Sequence, residues 1–164
     1  MPLDYPELHY VNAASGWIDM NCLEEARGEL EGIKGESRQH PEVLELDWRI
    51  YAKGHQWDSA LSVAERIIER APQRATGWVD RSYCLHELKR TEEAMDKLLP
   101  AFGKFPDEFI IPYNLACYCC QLGDVVAAKS WLERACQRGP KGEVRKMALK
   151  DRDLEPMWGE IGNA

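Results

Sequence analysis

Residues 75–108 read ATGWVDRSYCLHELKRTEEAMDKLLPAFGKFPDE, and this stretch decides the fold. It holds two segments of about 12 residues in which apolar side chains recur at the three- and four-residue spacing of an amphipathic helix. Thr91, followed by two glutamates, marks the start of the second segment, because a hydroxyl at a helix N-terminus can cap free backbone N–H groups. The stretch therefore predicts a helix–turn–helix hairpin.

The same pattern recurs along the chain at a fixed interval. Shifting the sequence by 34 residues superimposes one alanine from each repeat, namely Ala26, Ala60, Ala94 and Ala128. The chain then divides without a gap into four blocks, which are 7–40, 41–74, 75–108 and 109–142. One hairpin cannot bury its own apolar face, so we expect consecutive hairpins to stack. Three blocks close with a proline, whereas the first has Arg38 there, which predicts a looser first boundary.

These shared positions are where the sequence resembles the tetratricopeptide repeat family. That family has a helix–turn–helix unit with an early aromatic residue, small residues where the two helices touch, and a closing proline. The third block, from Trp78 to Pro106, and the fourth, from Tyr113 to Pro140, match this pattern best. The resemblance implies an all-α fold, an α-solenoid of four tandem hairpins over residues 7–142. Residues 143–164 are expected to form a C-terminal capping helix whose apolar side chains, Val144, Met147, Leu154 and Trp158, cover the last hairpin.

Composition narrows the classes of function. The 164-residue chain has a net charge of −7, which argues against nucleic-acid binding and against docking on anionic lipid. No apolar run approaches the roughly 20 residues that span a bilayer, and the first residues lack the pattern of a secretory signal. Six cysteines in a helical chain of this size are not typical of a disulfide framework, so we expect a cytoplasmic protein.

The residue types that carry chemistry form no catalytic or metal-binding pattern. Cys117, Cys119 and Cys120 have no second pair of ligands across a turn, which zinc usually takes, so we predict neither a metal nor a cofactor. No histidine has a partner at the spacing of a catalytic triad, and we expect all four on the surface, namely His9, His40, His55 and His86. We therefore predict that the protein is not an enzyme.

The resemblance also implies a working surface, because the first helices of tetratricopeptide arrays line the inner groove of a superhelix. Carried over by position, the expected partner-binding residues are Leu8, Val11, Asn12, Leu46, Arg49, Lys53, Val79, Tyr83, Ile110, Tyr113 and Asn114. The apolar members of this set would be exposed unless something covers them, and exposed apolar patches mark interaction sites. Three occupants fit such a groove: a partner's peptide or helix, the chain's own ends, or a second copy.

We therefore predict a protein-interaction module, either an adaptor or an assembly factor, that binds a peptide or helix of a protein partner in this groove. The alternative is a self-associating structural subunit, a possible homodimer, that uses the same surface. Family members that grip a C-terminal carboxylate do so with a basic clamp. Here only Arg49 and Lys53 supply cations, and Glu42, Glu45 and Asp80 would repel a carboxylate.

Overall fold

A computed structural model describes residues 3–162, and every regular element in that range is helical. The α-helices are α1 (Glu7–Asp19), α2 (Leu23–Glu31), α3 (Pro41–Lys53), α4 (Trp57–Arg70), α5 (Thr76–Glu87), α6 (Thr91–Lys104), α7 (Ile110–Gln121), α8 (Val125–Arg138), α9 (Glu143–Ala148) and α10 (Trp158–Ile161). Two 3₁₀ helices lie at Gly35–Gln39 and Arg152–Met157. None of the helices in this part of the chain is both long and apolar enough to cross a membrane. The protein is thus all-α, with two α-helices in each 34-residue block.

The turn inside each hairpin repeats in the backbone as well as in the sequence. One residue per turn has a positive φ angle, namely Asn21 (61°), His55 (53°), Lys89 (63°) and Gly123 (87°), and these residues are spaced 34 apart. The residue after each donates its N–H to the carbonyl five positions earlier, at 2.9 Å in all four turns. This is the closing hydrogen bond of a Schellman motif. Three of the four positions lack glycine, the residue that most readily adopts a left-handed backbone, so the sequence gives little sign of the turn there.

The chain divides into two compact units, Met1–Cys84 (unit 1) and Leu85–Ala164 (unit 2). In unit 1, α1 packs against α2 and α3 packs against α4, while α3 also contacts α1 and α2. Ala14 and Ala26 lie fully buried in one core cluster with Ile18 and Leu30. Their small side chains allow α1 and α2 to approach closely, as the repeat pattern predicts.

An ion pair, not a proline, closes the first block of unit 1. Arg38 donates two hydrogen bonds to the buried carboxylate of Asp47 on α3, Nη1 to Oδ2 at 2.5 Å and Nη2 to Oδ1 at 2.9 Å. The hydrogen bond to Asp47 raises the pKa of the Arg38 guanidinium, so the charged pair is stabilised. This bidentate pair ties the 3₁₀ helix to α3 where the other blocks have a proline, and the looser first boundary stays a prediction.

In unit 2, α7 packs against both α6 and α8, and the C-terminal segment packs on this pair. The segment forms three short helices instead of one continuous helix, with left-handed Gly142 before the first and Pro156 inside the second. Leu154 and Met157 are fully buried, and the Trp158 indole N–H donates to the Ala148 carbonyl at 2.8 Å. The tail therefore packs on unit 2, although Met147, expected to cover the last hairpin, is exposed.

Candidate functional site

The predicted partner-binding residues of unit 1 lie on α1, α3 and α5, and most of them reach the surface. Leu8 is 46% exposed and Tyr83 is 40% exposed, so both offer apolar area on first helices. Asn12 and Lys53 are also exposed, while Val11, Arg49 and Val79 are half-buried. We call this set, Leu8, Val11, Asn12, Arg49, Lys53, Val79 and Tyr83, the unit 1 face. Leu46 does not belong to it, because only 6% of its side chain is exposed and it packs in the unit 1 core.

Tyr83 is held in place by two tryptophans of unit 1. Its ring lies 5.6 Å from that of Trp57 at 77°, and 6.4 Å from that of Trp48 at 62°. Both are edge-to-face arrangements, which stabilise aromatic pairs beyond their buried area. The phenol ring is thus presented to solvent from a rigid aromatic base, as an anchor residue of a binding surface would be.

Polar contacts tie the first helices of unit 1 to one another. Arg49 on α3 donates to two residues of α1, Nη2 to Asp19 Oδ1 at 2.6 Å and Nη1 to Ser15 Oγ at 3.2 Å. The Arg49 charge is therefore paired with Asp19 on the neighbouring helix. Lys53, one helical turn further along α3, is exposed at the same end.

Two carboxyl groups give unit 1 an acidic edge at α3 and α5. Glu45 accepts hydrogen bonds from Arg74 at 3.2 Å and from Thr76 at 3.1 Å. Removal from water, together with the nearby charge of Glu45, raises the pKa of the Asp80 carboxyl to about 8. The protein therefore does little to stabilise the charged form of Asp80. Placing a further carboxylate beside this group would be unfavourable.

The same surface of unit 2 is covered by the protein's own C-terminal segment. Tyr113 on α7 is only 4% exposed, because its hydroxyl donates to Asp151 Oδ2 at 2.9 Å under that segment. Cys117, one turn along, donates to the same oxygen at 3.7 Å, and the Gln121 amide donates to the Asp153 carbonyl at 2.9 Å. The expected exposure of Tyr113 is therefore wrong. Ile110 and Asn114, on the same helix, remain half-buried.

His86 lies inside unit 2, so the expectation that all four histidines are surface residues is wrong for this one. It is buried, and its Nε2 faces Asp153 Oδ2 at 3.1 Å while its Nδ1 faces the Thr91 hydroxyl at 3.0 Å. Since a carboxylate only accepts hydrogen bonds, the Nε2–H donates to Asp153. This hydrogen bond lowers the pKa of Asp153. The C-terminal segment is thus held to unit 2 by polar contacts as well as by its apolar core.

Within residues 3–162, one group of potential metal ligands has its donor atoms within 4.8 Å of one another: Cys117, Asp151 and Asp153. Burial, followed by the charges of the two aspartates, raises the pKa of the Cys117 thiol, which opposes the thiolate that a metal requires. The thiol and the Tyr113 hydroxyl both donate to Asp151. These hydrogen bonds hold the C-terminal segment against α7.

Sequence reading missed the role of Asp151 and Asp153. The two acids stand in a run of alternating charge at residues 150–153, which by itself predicts only a solvated turn. Asp151 lies 38 residues from Tyr113 in the chain, outside the 34-residue register, so no periodic signal connects them. Only the folding of the tail onto α7 brings these side chains together.

No protein-family model matches the sequence, and neither does any curated protein. Solved structures do match. TTC0263, a thermophilic TPR protein in Thermus thermophilus, superimposes with a TM-score of 0.76 at 18% identity, over 95% of this chain and 83% of that one. YrrB, a TPR protein with an unusual peptide-binding site, has a TM-score of 0.69 at 16% identity, over 89% of this chain and 75% of that one. A structure of MamA gives a TM-score of 0.65 at 17% identity, over 98% and 97%.

These identities are too low to carry residue roles from one protein to another, but the superpositions span almost the whole chain. They agree with the paired helices, the 34-residue interval and the four equivalent turns described above. The chain has the helical-repeat fold of the tetratricopeptide repeat proteins.

Proposed function

We propose that the protein is a non-catalytic adaptor or assembly factor whose unit 1 face binds a peptide or helix of another protein. The observation that carries this proposal is the exposure of Leu8 and Tyr83 on first helices, the surface that the chain covers for itself in unit 2. Exposed apolar side chains on the first helices favour association, because their contact with a partner removes apolar area from water.

The net charge of unit 1 limits the chemistry of the partner that its face can bind. Residues 1–84 contain 15 Asp and Glu against 9 Lys and Arg, a net charge of −6, while residues 85–164 contain 13 against 12, a net charge of −1. Glu45 is paired with Arg74, and the raised pKa of Asp80 favours its protonated form, so it is the net charge of unit 1 that disfavours a carboxylate-bearing ligand. We propose a segment with apolar anchors and neutral or basic flanks, not a nucleic acid or an acidic C-terminus.

The titratable groups of the first helices support a non-catalytic role. Burial raises the pKa of the Tyr113 hydroxyl and of the Cys117, Cys119 and Cys120 thiols. Each shift favours the protonated form, whereas nucleophilic catalysis needs the ionised one. A cytoplasmic location belongs to the same proposal, since six unpaired thiols suit a reducing compartment.

A photo-crosslinking amino acid placed at position 8 tests the proposal directly. Its matched control is position 126 on α8, where Val126 is 84% exposed in unit 2. We expect a distinct protein to be crosslinked from position 8 in cells and not from position 126. Leu8→Glu should then weaken binding of that purified protein by about tenfold or more, as loss of an anchor does, while Val126→Glu leaves it unchanged.

Two outcomes would contradict the proposal. Identical crosslinks from both positions would show that exposure alone, and not the unit 1 face, determines capture. A crosslink only to a second copy of the chain, accompanied by a dimer mass in solution, would establish the alternative of a self-associating subunit.

A further inference from the structure

Two arginines of unit 2 are held by aromatic rings instead of by carboxylates. Phe102 on α6 and Trp131 on α8 pack edge to face, with ring centroids 4.9 Å apart at 82°. The Arg134 guanidinium carbon lies 4.5 Å from the Trp131 ring centre, and that of Arg138 lies 3.9 Å from the Phe102 ring centre. We call these four residues the arginine–aromatic cluster. It lies on the second helices of two repeats, whereas the predicted groove positions lie on first helices.

Neither guanidinium has a hydrogen-bond or ion-pair partner among residues 3–162. The Arg138 Nη1 atom is buried and still has no acceptor. In unit 1, by comparison, Arg38, Arg49 and Arg74 each donate to a carboxylate, while Arg27 also lies over a ring, 5.0 Å from the centre of Tyr51. A buried donor without an acceptor is unfavourable, so this unsatisfied N–H is a cost that the folded protein carries.

Arg134 is exposed and Arg138 is half-buried, so the N–H groups of these guanidiniums that reach the surface can donate to an anion, whereas the buried Nη1 of Arg138 cannot. A guanidinium stacked on an aromatic face keeps its in-plane N–H groups free to donate, and those groups match the two oxygens of a carboxylate. The stacking also restricts the side chains before any ligand arrives, which reduces the entropy lost on binding. The aromatic rings add apolar contact area beside the charge.

We propose that the arginine–aromatic cluster is a second binding surface, which receives the carboxylates of an acidic segment of a partner protein. The chemistry of this occupant is opposite to that proposed for the unit 1 face, so the two units would hold different partners. The surroundings argue against a polyanion such as nucleic acid or an anionic membrane. Glu133 adjoins Arg134 on α8, and the chain has a net charge of −7, so a long polyanion would meet repulsion as well as attraction.

Fluorescence anisotropy of labelled poly-glutamate with the full-length protein tests this proposal, with poly-glutamine as the uncharged probe. We expect saturable binding of poly-glutamate only, and a loss of about tenfold or more in the Arg134→Gln/Arg138→Gln variant. The matched control is Arg145→Gln, which removes an exposed arginine of the same unit and should change affinity by less than about twofold. If the double variant unfolds, the single variant Arg134→Gln is measured instead, because replacing an exposed side chain should leave the fold intact.

The Arg134→Lys/Arg138→Lys variant separates a shaped site from diffuse charge, since lysine keeps the charge and loses the planar fork. We expect the lysine variant to lose most of the binding, and the Trp131 indole N–H resonance to shift when poly-glutamate binds the native protein.

Three outcomes would overturn the proposal: full binding by the lysine variant, equal loss in Arg145→Gln, or an unmoved indole resonance. So would tighter binding of inorganic phosphate, phosphatidylserine vesicles or a single-stranded oligonucleotide that depends on the same arginines. Leu8→Glu should leave poly-glutamate binding intact, which separates this test from that of the unit 1 face.

Discussion

Tyr83 in unit 1 and Cys117 in unit 2 occupy the same repeat position, 34 residues apart, and yet they meet different surroundings. Tyr83 is 40% exposed on its tryptophan base, whereas Cys117 is buried beneath the C-terminal segment and donates to Asp151. The repeat register fixes which way each side chain points from its helix. What lies over that helix then decides whether a partner can reach it.

The largest effect should come from loosening the cover of unit 2. Leu154→Ala removes a fully buried side chain of the covering segment and should lower the free energy of unfolding by about 2–5 kcal/mol. Chemical denaturation measures this loss, and Cys117 should become more reactive towards iodoacetamide. Leu149→Ala, at an exposed site of the same segment, is the control and should change little. Equal and small effects for both would show that the segment does not secure unit 2.

The second effect concerns the ion pair that closes the first block of unit 1. Asp47→Ala leaves the Arg38 guanidinium without its bidentate partner and should cost about 2–3 kcal/mol, since the pair is partly buried. Asp19→Ala breaks the more exposed pair with Arg49 and should cost less than about 1 kcal/mol. Thermal or denaturant unfolding of both variants gives the comparison. A smaller loss for Asp47 than for Asp19 would mean that the first boundary is held by something else.

A smaller effect should come from a single hydroxyl under the tail. Tyr113→Phe keeps the ring and removes only the hydrogen bond to Asp151, so the free energy of unfolding should fall by about 1–2 kcal/mol. Tyr5→Phe, at an exposed tyrosine, should be neutral within about 0.5 kcal/mol. If Tyr113→Phe is equally neutral, the polar contacts of the tail contribute nothing and its apolar core alone holds it.

The smallest effect is a difference in pH dependence between the units. Asp80 has a raised pKa, so it contributes stability when protonated, and this contribution is lost as the pH rises from its ordinary value of 3.8 towards about 8. Asp153 has a lowered pKa, so its contribution is present above 3.8 and is lost as the pH falls below that value. We expect the stability of the native protein to decline between about pH 5 and 8, and Asp80→Asn to remove that decline. A native-like slope in Asp80→Asn would assign the dependence to another group.

Much of the fold follows from local signals. Helices α5 and α6 and the alanine interval are readable in residues 75–108, because helix formation depends on neighbours three and four positions apart. The predicted capping role of Thr91 is wrong, because Thr91 is the first residue of α6 and its hydroxyl faces His86 Nδ1 at 3.0 Å. The left-handed turns at His55 and Lys89 were less readable, since the side chains give no glycine signal there. The helical hairpin imposes that conformation when the two helices pack.

The residues of the candidate site likewise fall into those that the sequence places and those that only the structure places. The sequence by itself determined which residues lie on the first helices, because a 34-residue repeat places equivalent side chains on equivalent helix positions. It could not determine that Leu46 enters the core, that the tail covers Tyr113, or that Arg134 and Arg138 lie on aromatic rings without a carboxylate. The cover of Tyr113 and the contact of Arg138 with Phe102 join segments far apart in the chain, while Arg134 stacks on Trp131 within one helix. Only the tertiary structure, by deciding what packs over each helix, separates the buried positions from those that a partner can reach.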